Sequence, residues 1–138
     1  MFSTSSSASP SNATQSYDAV VIGAGVAGLH EVHLLREQGL NVHGFEAGSG
    51  VGGTWYWNRY PGCRFDSEAY IYQYFFSQDL YNAWSWSERF PAQPEIERWL
   101  NFVADRCDLR KEFEFNTRVE SAQYNDATGR WTVKTDKG

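Results

Sequence analysis

The first regular pattern in the chain is a short apolar run, Ala19–Ile22, which leads into the glycine-rich stretch Gly23–Gly28. A segment from Val26 to Gln38 follows, with apolar residues at helical spacing. Gly39 stands where a left-handed residue would end that helix. A second apolar run extends from Leu40 to Phe45. The pattern therefore predicts a strand, a tight turn, a helix and a second strand, which together form one βαβ unit.

The glycines between the first strand and the helix have the spacing of a dinucleotide-binding turn. Gly23 allows the sharp turn, Gly25 lets a pyrophosphate approach the backbone, and Gly28 lets the helix pack closely on the strand. Glu46, at the tip of the second strand, can accept hydrogen bonds from both ribose hydroxyls and would repel a 2′-phosphate. The combination predicts an α/β, Rossmann-like fold that binds a dinucleotide other than NADP at this turn. The alternative is a glycine-rich turn without a ligand.

A second glycine-rich stretch, Gly48–Gly53, begins two residues after Glu46. So many glycines cannot hold a regular element, but they can bring backbone donors against a ligand on the first turn. Thr54 then offers a hydroxyl, and Trp55 offers a flat face suited to a planar ring system. The alternative is a flexible loop whose Trp fills the core.

The remainder of the chain predicts one long helix and a set of strands. The helix begins at Gln93 with Pro in its first turn, carries a buried apolar stripe and closes near Arg110. Three segments predict an antiparallel β-meander: Phe113–Val119, Ser121–Tyr124 and Trp131–Thr135.

Composition limits the environment and the partners of the chain. A formal charge of −5 argues against nucleic acid or an anionic membrane surface as the main partner. No apolar run approaches the roughly 20 residues that span a bilayer. Cys63 and Cys107 lack the spacing of metal ligands, so a reduced, cytoplasmic location is the default. Residues 1–16 predict a disordered tail, which leaves 17–138 as one structured unit.

Two histidines lie on the first predicted helix. His30 and His33 are three residues apart, and no further metal ligands stand nearby in the sequence. We therefore expect both on the polar face of the helix and assign no metal to this chain.

Four sequence segments carry a family resemblance. They are GAGVAG, the spaced Glu46, GVGGTWYWNRYPGCRFDSEAY and QPEIERWLNFVADRCDLR. Through them, residues 17–138 resemble the N-terminal part of Baeyer–Villiger monooxygenases of the phenylacetone, steroid and cyclohexanone monooxygenase branch. The resemblance implies an enzyme that uses FAD, NADPH and O2. Such an enzyme inserts one oxygen atom next to a ketone carbonyl through a C4a-peroxyflavin and yields an ester or lactone.

The resemblance also assigns roles to individual residues. Glu46 holds the adenosine ribose of FAD, and the backbone of Val119 meets the adenine. Asp66 orients an active-site arginine and is the one catalytic candidate. The full set of implied cofactor-binding residues is Gly23, Gly25, Gly28, Glu46, Gly53, Thr54, Trp55, Arg64, Asp66, Tyr72 and Val119. The segment Arg64–Asp66 would also touch the nicotinamide cofactor. The alternative, from the residues alone, is a structural ion pair between Arg64 and Asp66 on the surface, which contributes little stability.

The predicted domain is incomplete. The βαβ unit supplies only two parallel strands, and the family's second glycine fingerprint for NADPH and its active-site arginine lie outside this sequence. We expect the chain alone to be inactive. Two alternatives remain open: another flavin enzyme that hydroxylates nitrogen or sulfur, and a non-catalytic FAD-binding fragment.

Overall fold

The computed structural model describes residues 14–138, so the predicted disordered tail falls almost entirely outside the described residues. Nine helices and strands, joined by loops and two short 3-10 turns, make up this part of the chain. In chain order they are β1 (Ala19–Ile22), α1 (Val26–Glu37), β2 (Val42–Phe45), α2 (Thr54–Trp57), α3 (Gln78–Asn82), α4 (Gln93–Arg106), β3 (Phe113–Glu114), β4 (Val119–Asn125) and β5 (Arg130–Thr135).

A parallel three-stranded sheet in the order β1-β2-β3 forms the base of the fold. Ile22 is paired with Phe45 at the carboxyl ends of β1 and β2, and Phe45 is paired in turn with Glu114 of β3. The βαβ unit supplies two of the parallel strands, as expected, and β3 adds a third. The segment expected to open the meander enters the sheet beside β2, and Asn116, with a φ of 53°, ends its extended course.

Helix α1 crosses from β1 to β2 and covers one face of the sheet. Leu29 and Val32 are fully buried, and Val26 and Leu35 pack at the margin of the same core. Gly39 follows the helix with a φ of 78°, as its position predicted. The predicted βαβ unit is confirmed.

Helix α4 forms the second layer of the core. Its buried face includes Ile96, Trp99 and Val103, all at most 1% exposed. The helix ends before the predicted position, because Asp108 adopts a φ of 51° and the N–H of Leu109 turns back to the carbonyl of Ala104 at 2.8 Å. The rings of Tyr72, Tyr74 and Trp86, from the loops before α4, gather around Trp99.

Strands β4 and β5 form an antiparallel hairpin, so two of the three predicted meander strands pair as expected. The hairpin is largely exposed and returns to the start of β4, where the N–H of Asp136 donates to the carbonyl of Arg118 at 2.9 Å. The predicted α/β, Rossmann-like class is confirmed. Among residues 14–138, the structure contains no helix with both the length and the hydropathy needed to span a bilayer.

Candidate functional site

The two glycine-rich loops touch each other at the carboxyl end of the sheet. A Cβ atom added to Gly25 would lie 3.3 Å from the Cα of Gly53, and one added to Gly53 would lie 2.8 Å from the Cα of Gly25. The N–H of Gly52 donates to the carbonyl of Ala24 at 2.9 Å. A Cβ atom on Gly53 would clash with the first loop, and one on Gly25 would be tight against the second, so the contact brings the start of α1 close to the start of α2.

The first loop presents the amino end of α1 to this contact region. A Cβ atom on Gly28 would come within 1.9 Å of the carbonyl oxygen of Gly23, so only glycine fits there. The α1 terminus has no side-chain cap and no acidic residue in its first turn. Unsatisfied N–H groups and the helix dipole therefore favour an anion at this end of the helix.

Glu46 is buried, with 5% of its surface exposed, at the end of β2. Its Oε2 accepts from the N–H of Ala24 at 2.7 Å, and its Oε1 accepts from the N–H of Gly48 at 2.6 Å. The carboxylate thus ties the two glycine loops together. Each oxygen keeps a second lone pair that a ligand hydroxyl can use, so the residue combines a structural role with an available acceptor.

Two adjoining cavities meet at the contact between the loops. One has a volume of about 370 Å³ and the other about 390 Å³, and both include Ile22, Gly23, Gly25, Gly53 and Thr54 in their walls. The first continues to Trp55 and Tyr72, and the second continues to Glu46 and Val119. Their sizes fall in the usual range of ligand sites, and together they make an elongated groove.

Trp55 is held tightly in the wall of the first cavity. Its indole Nε1 donates to the hydroxyl of Tyr72 at 2.7 Å, and Tyr72 stacks on Phe65 with ring centroids 4.6 Å apart. Trp55 is only 7% exposed. The two roles considered from the sequence therefore coincide, because this residue fills the core and also lines the cavity.

Arg64 and Asp66 lie outside both cavities and are exposed. The guanidinium of Arg64 contacts Glu88 at 3.1 Å and donates to the carbonyl of Phe90 at 2.7 Å. The ion pair between Arg64 and Asp66 considered from the sequence is therefore wrong, because Arg64 is engaged by the loop before α4. Asp66 makes no side-chain hydrogen bond to any of residues 14–138.

Trp57, Thr117 and Arg118 are among the residues of the second cavity that were not predicted from the sequence. Among the residues that line the two cavities, Arg118 is the only cation and Glu46 the only anion. Thr117 is held at the site by a hydrogen bond from its backbone N–H to the carbonyl of Glu46, at 2.9 Å. An Asn before Thr at the end of a short strand is only a weak sequence signal of such a turn.

The groove has the chemistry of a site for an extended, anionic, dinucleotide-like ligand. Backbone N–H groups lie at its centre, Glu46, Arg118 and Trp57 line one end, and Trp55 and Tyr72 line the other. Within residues 14–138, no group of three or more His, Cys, Asp or Glu side chains could hold a metal ion.

Part of the sequence that forms this groove matches a known protein-family model. Residues 21–88 match the NAD(P)-binding Rossmann-like domain. This match runs from the end of β1 through α1, β2 and both glycine loops, and it does not include Thr117–Val119 of the second cavity.

Longer matches extend over nearly the whole chain. The acetone monooxygenase (methyl acetate-forming) of Gordonia sp. (strain TY-5) is 62% identical over 91% of this chain and 24% of its own length. A Baeyer–Villiger monooxygenase of Pseudooceanicola batsensis is 54% identical over 88% of this chain and 23% of its own length. The phenazine N-monooxygenase PhzNO1 of Lysobacter antibioticus is 44% identical over 88% of this chain and 23% of its own length.

The solved structure of an oxidised steroid monooxygenase bound to NADP matches the fold with a TM-score of 0.88 at 56% identity. It covers 90% of this chain, which in turn covers 24% of that structure. The chain thus spans about a quarter of the length of the relatives it matches.

Proposed function

We propose that this chain forms the FAD-binding part of a Baeyer–Villiger monooxygenase, because its sequence and fold are similar to those of about a quarter of the length of such enzymes. The complete enzyme, meaning this chain joined to the rest of the proposed monooxygenase, oxidises a small ketone with NADPH and O2. The observation that carries the proposal is the groove centred on the contact between Gly25 and Gly53.

The groove fits FAD because the residues along its walls suit successive parts of the cofactor. The pyrophosphate would meet the N–H groups at the start of α1. The ribose of the adenosine would be held by Glu46, with the adenine near Val119. The ring system would lie near Thr54, Trp55 and Tyr72. Because Glu46 would repel a 2′-phosphate, NADPH would bind elsewhere in the complete enzyme.

Bound FAD would supply electron transfer from NADPH to O2 and the delivery of one oxygen atom to the substrate. The role of this chain is to bind the cofactor, to orient it and to exclude water from one side of it. Asp66 is proposed to hold the guanidinium of an arginine from the rest of the complete enzyme. A preorganised guanidinium stabilises negative charge where it develops during the reaction. The exposed position of Asp66, which has no partner among residues 14–138, is compatible with this role.

We also propose a cytoplasmic location, since the described cysteines, Cys63 and Cys107, are both free thiols. A second candidate reaction is oxygenation of a ring nitrogen. It is favoured by one observation, the 44% identity to a phenazine N-monooxygenase over 88% of the chain. Both reactions require the same FAD groove, so the groove alone does not separate them.

The test is product analysis on the purified complete enzyme supplied with FAD, NADPH and O2. We expect a small ketone such as acetone or cyclohexanone to give the corresponding ester or lactone. A phenazine would serve as the competing substrate. If only the phenazine is oxygenated, the ketone assignment is wrong, and if neither substrate consumes NADPH, the chain is a non-catalytic FAD-binding unit.

A further inference from the structure

The carboxyl end of helix α2 is held by the first turn of helix α4. The side-chain Nε2 of Gln93 donates to the main-chain carbonyl of Trp55 at 2.5 Å. Gln93 is only 6% exposed, and its own N–H donates to the carbonyl of Cys63 at 2.8 Å. The buried residue Gln93 is thus held through its backbone N–H, and its side-chain amide donates a hydrogen bond to α2.

A second contact joins the same two helices. The Nε of Arg59 donates to the carbonyl of Tyr56 at 2.7 Å, and its Nη2 donates to Oε1 of Glu97 at 2.5 Å. The other oxygen of Glu97 accepts from Nε2 of Gln93 at 2.9 Å. Glu97 therefore connects the two donors, and two consecutive carbonyls of α2 each receive a hydrogen bond from this network.

Helix α2 depends on such outside support because it is a single turn of four residues. The last carbonyls of any helix lack partners within the helix, and one isolated turn is unstable in water. Its first residues, Thr54 and Trp55, line the first cavity. Loss of the bonds at its carboxyl end would therefore loosen the wall of the groove.

We propose that Gln93, supported by Arg59 and Glu97, is a positioning residue that holds the segment Gly53–Trp55 in place for the cofactor. The inference rests on the proposed function, since it concerns the same groove. Gln93 lines neither cavity, and it acts through the carbonyl of Trp55.

The first test replaces the amide with an apolar side chain of similar size, Gln93→Leu, in the complete enzyme. Loss of the donor to Trp55 is expected to raise the dissociation constant for FAD about tenfold, which corresponds to one hydrogen bond of about 1.4 kcal/mol. The flavin should also show an altered visible circular dichroism spectrum, because the indole of Trp55 is no longer fixed.

The matched control is Glu95→Gln, in the same turn of α4. Glu95 is also buried, at 8% exposure, but its carboxylate accepts from the N–H and hydroxyl of Ser87, on the loop before the helix. This variant should lower the melting temperature and leave the dissociation constant for FAD unchanged. Equal losses of FAD affinity in both variants would overturn the proposal and leave Gln93 with a structural role only.

A readout on the cofactor-free enzyme separates this inference from the proposed function. Amide hydrogen exchange at residues 54–57 should be faster in Gln93→Leu than in wild type, and unchanged in Glu95→Gln. The exposed Arg59 offers a milder variant, Arg59→Ala, with the same expected direction. If exchange at 54–57 stays at the wild-type rate in both Gln93→Leu and Arg59→Ala, the inference is wrong even if the wild type binds FAD. If the wild type binds no FAD, the proposed function fails instead.

Discussion

Gly25 and Gly53 lie in van der Waals contact although the whole of α1 and β2 separates them in the chain. The contact brings the turn after β1 against the loop that precedes α2. It also marks the junction of the two cavities. A side chain at either position would push the loops apart and change both halves of the groove.

The contact predicts a position-dependent response to alanine in the second loop. Gly53→Ala places a Cβ atom 2.8 Å from the Cα of Gly25, at a residue whose φ is 52°. We expect a loss of FAD affinity of tenfold or more in the complete enzyme. Gly50→Ala is the control, because its Cβ would make only an ordinary 3.6 Å contact with Tyr56. Titration with FAD checks both, and similar affinities for the two variants would contradict the role of the contact.

Glu46 is expected to affect stability as well as cofactor binding. Glu46→Ala removes the acceptor of two buried N–H groups, those of Ala24 and Gly48. Hydrogen bonds to charged groups contribute about 1.5–3 kcal/mol each. The cofactor-free enzyme should therefore melt at a lower temperature, and FAD affinity should fall further. Thermal denaturation with and without FAD separates the two effects. If FAD raises the melting temperature of Glu46→Ala as much as that of wild type, Glu46 does not bind the ribose.

His33 predicts a pH dependence of stability. It stacks on Phe76 at 4.1 Å, and its Nδ1 is buried without a partner among residues 14–138. Burial lowers the pKa of His33 below its usual value of 6.5, against an opposing effect of Glu37. As the pH falls through about 6.5, His33 is therefore protonated more readily in the unfolded chain than in the folded chain. Stability should fall as the pH drops below about 6.5.

The measurement for His33 is the urea midpoint of the complete enzyme at pH 8 and at pH 5.5. The variant His33→Phe keeps an aromatic ring on Phe76 and removes the titrating group. Between pH 8 and pH 5.5, the urea concentration at the unfolding midpoint should fall further for the wild type than for this variant. Equal losses would show that the neighbouring charges, rather than His33, set the dependence.

Asp66 is expected to matter for the reaction and little for the fold. Asp66→Ala removes an exposed side chain without partners in the described part of the chain, so stability and FAD affinity should change little. Loss of one preorganised electrostatic partner typically costs ~10²–10³ in rate. We expect less ester or lactone per NADPH and more hydrogen peroxide. Asp126→Ala, in the exposed turn of the hairpin, is the control. Unchanged coupling in Asp66→Ala would remove its catalytic assignment.

The local elements of the groove could be predicted because each depends on neighbours in the chain. The glycine spacing, the helix after it and the turn at Gly39 follow from backbone conformation. The third parallel strand could not be predicted, since Phe113 and Glu114 pair with residues of β2 that lie half the chain away. Nothing in two residues of sequence distinguishes a parallel edge strand from the start of a hairpin.

The side-chain network around the groove shows the same limit. Glu95 lies in the first turn of α4, and its carboxylate accepts hydrogen bonds from Ser87 in the loop before that helix. His30 and His33 were expected on a polar face, and both stack on Phe76. These contacts join segments whose approach is set by packing of the whole core. A pattern within one element carries no information about them.

The most direct test of the account is calorimetric titration of the cofactor-free complete enzyme with FAD, FMN and ADP. The two cavities form one groove, so a ligand that spans their junction should bind far more tightly than either half of it. We predict one FAD per chain, with FMN and ADP each bound at least a hundredfold more weakly. FMN binding as tightly as FAD, or no flavin binding at all, would contradict a dinucleotide site at the contact between Gly25 and Gly53.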